Sequence, residues 1–270
     1  MIGLINLEEL KNSITSETIL ISIMFANNEV GTIQPIEEIG KIAKSYRVIF
    51  HTDAVQAIGN VEIDVEKMGI DLLSISAHKF YGPKGVGALY IRKGIKCCKL
   101  QDGGHQEQDL RAGTENVAGI VGLGKAIELS YKNLNTYNSK LKELRDYYIE
   151  QVENKIPYIK SNGHIIKRLP GNSNISFEFI DGEALLLNLD MSGICASTGS
   201  ACSSGSSKPS HVLLAMGIPE NIARGSLRIT FGEENTKEDV DYLVNNLKGI
   251  VEELRNMSPE YLEFMKKAKN

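Results

Sequence analysis

The first half of the chain alternates short apolar runs with helix-like segments, and this alternation constrains the fold more than any other feature. The run TILISIMFA (18–26) is nearly continuous in apolar residues, as expected of a strand buried on both faces. Pro35 then opens a helical pattern, and two further strand-like runs follow at 47–55 and 71–76. Strands separated by helices predict an α/β fold with a mainly parallel sheet and helices outside it.

From about residue 133 the pattern changes to charged helical stretches mixed with isolated strands. The closing helix is the clearest element, because apolar residues repeat at helical spacing over 240–254. Thr236 and Asp239 precede this repeat with the spacing of a capping box. We therefore expect a first domain at 1–135 and a C-terminal α+β small domain at 136–270.

Composition and charge exclude several functional classes. The net charge is −4 and the pI is near 5.8, so no bulk electrostatic attraction to nucleic acid or to an anionic membrane is expected. No apolar run approaches the ~20 residues that span a bilayer. The cysteines are Cys97, Cys98, Cys195 and Cys202, too few for a disulfide framework and without metal-ligand spacing. A cytoplasmic protein with no resident metal is the expectation.

Polar side chains cluster where the three apolar runs end. They are Asn27, Asn28 and Glu29 after the first run, His51, Asp53 and Gln56 at the end of the second, and Ser76, His78 and Lys79 after the third. Ligands of open α/β sheets bind beyond the carboxyl ends of strands. A lysine amine and a carboxylate in such a crevice suit pyridoxal phosphate, which forms an imine and needs its pyridine nitrogen protonated. Each cluster alone is more typical of a turn, and an arbitrary lysine is more often a solvated loop residue.

Cys202 lies in the segment STGSACSSGSSKPS (197–210), which contains almost nothing apolar to bury. Such a composition is typical of a mobile, exposed loop, where a partly ionised thiol is available as a nucleophile. A buried, inert thiol is the commoner role of a single cysteine. We expect that structural role for Cys195.

Seven motifs together carry a resemblance to a known family. They are MFANNEVGTIQPI, HTDAVQAIG, SAHKFYGPKGVGALY, RAGTENVAGIVG, PGNSNISF, STGSACSSGSSKPSHVLLAMGI and SLRITFG. Their order and coverage of nearly the whole chain resemble the fold-type I, class V aminotransferase-like enzymes, and specifically the NifS/IscS-type cysteine desulfurases. The resemblance implies that 1–135 is a partial large domain that binds pyridoxal 5'-phosphate, and that 136–270 carries the mobile cysteine loop.

The resemblance also implies a role for each candidate side chain. Lys79 is similar to the Schiff-base lysine, Asp53 to the pyridine-nitrogen partner, Gln56 to the ring-oxygen partner, and Ser76 and His78 to phosphate ligands. Asn28 is similar to a residue that contacts the cofactor and, with Arg228, the substrate carboxylate. Thr114 is similar to a threonine that reaches the phosphate of a neighbouring subunit, which implies a homodimer.

The implied activity is conversion of L-cysteine to L-alanine with a persulfide on Cys202. Sulfur would then pass to an IscU/NifU-like scaffold or another acceptor, for iron-sulfur clusters or thiolation. The one metal contact that we expect is a transient contact between Cys202 and a cluster. Two alternatives stay open. The first is a truncated, non-catalytic remnant that acts at most as a dimerising or scaffold-binding module. The second is a selenocysteine lyase or aminotransferase of the same superfamily, which the Cys202 segment disfavours.

The chain also departs from the family pattern. We expect the family's N-terminal third to have no counterpart here, including its Gly-Ala-Thr phosphate loop and the histidine that stacks on the cofactor ring. Ala77 stands where the family usually has glycine before the His-Lys pair.

Overall fold

The computed structural model describes residues 2–199 and 208–268, which fall into two compact units. We call Ile5–Ala26 with Gln34–Leu134 the lysine unit, because it contains Lys79. We call Met1–Leu4, Asn27–Ile33 and Asn135–Asn270 the arginine unit, because it contains Arg228.

The lysine unit is built on a four-stranded sheet in the order β1-β2-β3-β4. The β1–β2 and β2–β3 pairs are parallel and the β3–β4 pair is antiparallel, so the prediction of a mainly parallel α/β sheet is confirmed. The strands are β1 (Leu20–Ser22), β2 (Ile49–Asp53), β3 (Leu72–Ser76) and β4 (Gly87–Ile91). The helices are α1 (Leu7–Ser13), α2 (Ile36–Tyr46) and α3 (Val117–Lys132), with 3-10 helices at Ala77–Phe80 and Gln106–Asp109.

The apolar run at 18–26 forms a shorter and more exposed strand than its composition indicates. The regular ladder with β2 covers Leu20–Ser22, and Ile21 alone of these three residues is buried. Beyond it, Ile23 N donates to His51 O at 3.2 Å and Phe25 N donates to Asp53 O at 2.8 Å. Ile19 is 82% exposed. Because β1 is the edge strand and buries only one face, the expectation of burial on both faces is wrong for this run.

The arginine unit contains a three-stranded antiparallel sheet in the order β5-β6-β7. Its elements are α4 (Leu134–Lys155), β5 (Ile159–Ser161), β6 (Asn172–Phe177), α5 (Gly182–Met191), α6 (His211–Ala215), α7 (Glu220–Arg224), β7 (Ser226–Thr230), α8 (Lys237–Met257) and α9 (Pro259–Ala268). The closing helix is confirmed, since the predicted stripe on α8 is buried from Val240 to Val251. Its capping box is also present, with Thr236 and Asp239 each bonding the other's backbone.

The segment Asn27–Ile33 leaves the lysine unit and belongs to the arginine unit. Leu169 N donates to Gly31 O at 2.8 Å, and Arg168 Nη2 donates to Val30 O at 2.9 Å. The observed units therefore differ at this segment from the predicted domains 1–135 and 136–270. Among the helices within 2–199 and 208–268, none is long and apolar enough to cross a bilayer.

Candidate active site

The carboxyl ends of β2 and β3 place four of the predicted cofactor residues at one edge of the sheet. The strands are parallel neighbours, with Asp53 at the end of β2 opposite Ser74 of β3. Ser76 ends β3, and the 3-10 helix Ala77–Phe80 follows at once with His78 and Lys79 exposed. The structure therefore brings Asp53 and the Ser76–Lys79 segment to the same end of adjacent strands.

The one-turn helix that presents Lys79 is held by its buried neighbours. Ala77 is fully buried, its amide donates to Val86 O at 3.1 Å, and its carbonyl accepts from Gly82 N at 2.9 Å. A Cβ on Gly82 would lie 2.9 Å from the Ala77 Cβ. The methyl group of Ala77 is therefore accommodated because residue 82 is glycine.

Asp53 presents its carboxylate at the exposed end of β2. Its Oδ1 accepts a bond from Val55 N at 2.9 Å, and its backbone oxygen accepts from Phe25 N at 2.8 Å. Within the described residues, neither the Asp53 carboxylate nor the Lys79 amine forms an ion pair. Both charged groups are thus available to a ligand.

Gln56 and Thr114 lie in the same unit, outside this strand-end group. Gln56 is half-buried in the turn after β2, where its backbone oxygen accepts from Asn60 Nδ2 at 3.2 Å. Thr114 is exposed in the loop before α3. The roles given to both residues stay predictions.

His51 is a polar residue of β2 for which no role was predicted. Its Nδ1 is 2.7 Å from Ser22 Oγ and its Nε2 is 2.9 Å from Ser74 Oγ, so three adjacent parallel strands are joined through one imidazole. His51 precedes Asp53 by two residues and therefore faces the same side of the sheet. Its position could have been predicted from sequence, because side chains two residues apart on a strand, such as His51 and Asp53, face the same side of the sheet.

In the arginine unit, Arg228 and Asn28 are brought together. Arg228 is half-buried on β7, opposite Asn174, and its Nη1 donates to the Asn28 backbone oxygen at 3.0 Å. The Arg228 backbone exchanges two hydrogen bonds with Ser197, the first residue of the segment 197–210 that contains Cys202. No carboxylate in the described part of the chain pairs with this guanidinium, so the salt bridge that is usual for an arbitrary arginine is not formed there.

Glu29, next to Asn28, is a buried carboxylate that the sequence analysis left without a role. It is 5% exposed, and its Oε2 accepts a hydrogen bond from Ser210 Oγ. Burial raises the pKa of Glu29, while the Ser210 hydroxyl and the charges of His211 and Arg228 act in the opposite direction. The one sequence feature that could have marked Glu29 for a role at the site is its position beside Asn28.

Cys202 lies outside the described residues, and its predicted role stays a prediction. Cys195 is exposed, so the expectation of a buried structural thiol is wrong for this residue. Its position after α5, just past the Gly193 turn, explains the exposure. No group of three or more His, Cys, Asp and Glu side chains suited to a metal occurs within 2–199 and 208–268.

The donor set at the strand ends fits pyridoxal 5'-phosphate in its chemistry. Lys79 supplies an exposed amine, and Asp53 supplies a carboxylate that no cation of the described chain engages. Ser76 and His78 supply a hydroxyl and an imidazole between them. These are the groups that an aldehyde, a pyridine nitrogen and a phosphate require.

Comparison with known proteins agrees with this chemistry. The family model for aminotransferase class-V matches residues 2–243. A cysteine desulfurase IscS of Clostridium botulinum is 58% identical over 266 residues, which cover 98% of this chain and 67% of that protein. The IscS of Methanosarcina thermophila is 59% identical over 257 residues, covering 95% of this chain and 63% of that one.

Solved structures give the same result. A NifS-like protein superposes with a TM-score of 0.86 at 40% identity, covering 94% of this chain and 66% of that chain. A NifS-like protein from Rickettsia africae gives 0.84 at 35% identity, with 93% and 67% covered. The chain thus spans about two thirds of the length of the relatives that it matches.

Proposed function

This chain belongs to the aminotransferase class-V family and, within it, to the NifS/IscS-type cysteine desulfurases, and we propose that it converts L-cysteine to L-alanine with transfer of the sulfur to Cys202. The observation that carries this proposal is that β2 and β3 are parallel neighbours, so that Asp53 at the end of β2 and the segment bearing Lys79 after β3 lie at the same end of the sheet. An amine and a carboxylate with no ion pair between them suit an imine-forming cofactor better than a structural role.

Five side chains of the lysine unit would hold pyridoxal 5'-phosphate. They are Lys79 at the aldehyde carbon, Asp53 at the pyridine nitrogen, Gln56 at the ring oxygen, and Ser76 and His78 at the phosphate. When bound, the cofactor supplies an electron sink for the substrate carbon. Lys79 would also be the base that accepts the proton from the substrate Cα.

Asn28 and Arg228 would bind the substrate. The planar guanidinium of Arg228 matches the geometry of a carboxylate, and one Nη is already oriented by the Asn28 backbone oxygen. Asn28 lies beside it and would contact both cofactor and substrate. Substrate binding therefore draws on residues that are 200 positions apart in the sequence.

Cys202 would accept the sulfur. Its thiolate would attack the substrate sulfur, and the carbon–sulfur bond would break with its electron pair left on Cβ. Cβ would then take a proton, and Lys79 would return the proton that it had taken from Cα. The products would be L-alanine and a Cys202 persulfide. The persulfide sulfur then passes to an IscU/NifU-like scaffold or another acceptor.

The remaining features of the proposal concern assembly and location. We infer a cytoplasmic homodimer in which Thr114 reaches the cofactor phosphate of the neighbouring subunit. The exposure of Thr114 in a loop is compatible with this role. A cross-linked or chromatographic dimer that Thr114→Ala leaves intact, but with weaker cofactor binding, would support it.

The proposal is tested by spectroscopy and product analysis. The purified protein, mixed with pyridoxal 5'-phosphate, should show a visible absorbance band and release alanine from cysteine. Lys79→Ala should lose both, whereas Cys202→Ser should keep the band and lose the protein persulfide. Lys93→Ala changes an exposed lysine just after β4 and is the matched control. Absence of both band and alanine in the unaltered protein would contradict the proposal and favour a non-catalytic module.

A further inference from the structure

The buried carboxylate of Glu29 lies where the two flanks of segment 200–207 meet. Glu29 is 5% exposed and Ser210 is 3% exposed, so their hydrogen bond is shielded from water. A bond between a carboxylate and a hydroxyl in such surroundings is stronger than a surface bond. Ser210 forms the flank after the segment.

Ser210 uses its hydroxyl in two ways. The oxygen accepts from Val212 N at 3.2 Å and from Leu213 N at 3.3 Å, which caps the start of α6. The hydrogen is donated to Glu29 Oε2. The carboxylate therefore fixes both the Ser210 side chain and the start of the helix that follows the segment.

Gly199 forms the flank before the segment and lies against the same carboxylate. A Cβ built on Gly199 would be 2.5 Å from Glu29 Oε2 and 3.0 Å from Ser210 Cβ. Because no side chain fits in that space, the Gly199 backbone is in close contact with the Glu29 side chain. Both ends of the segment thus meet at one side chain.

Glu29 is itself held firmly by its backbone. Its amide donates to Asn27 Oδ1 at 2.9 Å, and its carbonyl accepts from Asn174 Nδ2 on β6 at 3.2 Å. β6 is the central strand of its sheet. The backbone of Glu29 is therefore held on both sides, which fixes the point from which its side chain reaches the two flanks.

We propose that Glu29 is a positioning residue for the thiol of Cys202, acting by holding Gly199 and Ser210 together at the base of the segment that carries it. This inference rests on the proposed function, because it treats Cys202 as the sulfur acceptor. Glu29 contacts the flanks through Gly199 and Ser210, and neither of these residues has a role in the proposed reaction. Its charge also acts on Arg228, so the effect of the hydrogen bond is isolated by comparing variants that lose the same charge.

The test measures hydrogen–deuterium exchange in peptides from 192–199 and 208–216, together with the rate at which iodoacetamide alkylates Cys202. Loss of the buried acceptor in Glu29→Ala should speed exchange in both flanks by about tenfold. Ser210→Ala should act in the same direction, and the double variant should be no worse than Glu29→Ala alone, since the two residues share one bond. Glu29→Gln keeps an acceptor for Ser210 and should restore slow exchange. Glu234→Ala changes an exposed glutamate of the same unit and is the control.

Kinetics separate positioning from general loss of structure. Glu29→Ala and Glu29→Gln lose the same charge near Arg228, so the two variants should have KM values for cysteine within about twofold of each other. In Glu29→Ala, kcat for alanine release should be about tenfold lower than in Glu29→Gln, because only Glu29→Ala loses the acceptor that holds Ser210. Unchanged exchange in both Glu29→Ala and Ser210→Ala would overturn the inference, as would a Glu29→Gln variant no better than Glu29→Ala. If the unaltered protein forms no persulfide yet these variants change flank exchange and Cys202 alkylation, the proposed function fails and the positioning role stands.

Discussion

Arg228 donates from Nη1 to the backbone oxygen of Asn28 at 3.0 Å, joining two residues that are 200 positions apart. The bond orients the guanidinium without neutralising it, because a carbonyl oxygen carries no net charge. We expect Arg228→Lys to raise KM for cysteine about 10- to 100-fold, since an ammonium lacks the planar fork that binds a carboxylate.

The matched control for this prediction is Arg224→Lys. Arg224 is exposed on α7 and pairs with Glu220 at 2.6 Å, so its substitution should leave KM unchanged. The cofactor absorbance band should survive in both variants. A lost band in Arg228→Lys would mean that the residue supports the fold and not the substrate.

Gly82 controls the turn that presents Lys79. A Cβ at residue 82 would lie 2.9 Å from both the Cβ and the carbonyl oxygen of Ala77. Gly82→Ala should therefore displace the one-turn helix and weaken the cofactor band several-fold. Gly249→Ala on α8 meets nothing within 4 Å and should instead stabilise the protein by about 0.5–1 kcal/mol.

A second substitution sharpens the Gly82 prediction. Ala77→Gly combined with Gly82→Ala removes one of the two close contacts, so part of the absorbance band should return. Equal loss in the single and double variants would place the strain at the Ala77 carbonyl alone.

His51 joins β1 and β3 to β2 through Ser22 and Ser74. His51→Ala removes the bonds to exposed Ser22 and half-buried Ser74, and we expect a loss of about 0.5–1.5 kcal/mol in the free energy of unfolding, because water can reach both hydroxyls. Urea denaturation followed by circular dichroism measures this loss. His105→Ala, at an exposed histidine near Asp109, should change the unfolding free energy by less than about 0.5 kcal/mol.

Glu29 should make the stability of the protein depend on pH. Burial raises its pKa above the ordinary value of 4.5, so the folded state favours the protonated form. The stability that Glu29 contributes is complete below pH 4.5 and is lost as the pH rises through the raised folded-state pKa. Glu29→Gln cannot ionise, and we expect its Tm at pH 7 to exceed that of the unaltered protein by about 2–4 °C.

The comparison at two pH values decides this prediction. The Tm difference between Glu29→Gln and the unaltered protein should shrink towards zero as the pH falls to 4. A difference that is equal at both pH values would assign the effect to packing rather than to charge.

The closing helix and the strand-end residues were predictable because local rules govern them. The buried stripe of α8 from Val240 and the box formed by Thr236 and Asp239 depend only on spacing within one segment. The position of Asp53 and Lys79 at one sheet edge follows from two parallel strands in sequence order. Such features need no knowledge of distant partners.

Features that depend on distant partners were not predictable in this way. The apolar content of 18–26 does not reveal that β1 is an edge strand, because edge position depends on which strands pair. The burial of Glu29 is set by Ser210, 181 residues later, and by Gly199. A charged residue beside a turn gave no sign that water would be excluded from it.

Asn27–Ile33 belongs to the arginine unit although the residues on both sides of it belong to the lysine unit, and this has a consequence for synthesis on the ribosome. Val30 O accepts from Arg168 Nη2, and 138 residues separate the two partners. At 5–20 residues per second the segment emerges on the order of 10 s before Arg168 is translated. During that interval the backbone groups of the segment that bond residues 167–174 lack their native partners. Nascent chains halted before Arg168 should therefore leave this segment open to proteases, while longer chains protect it.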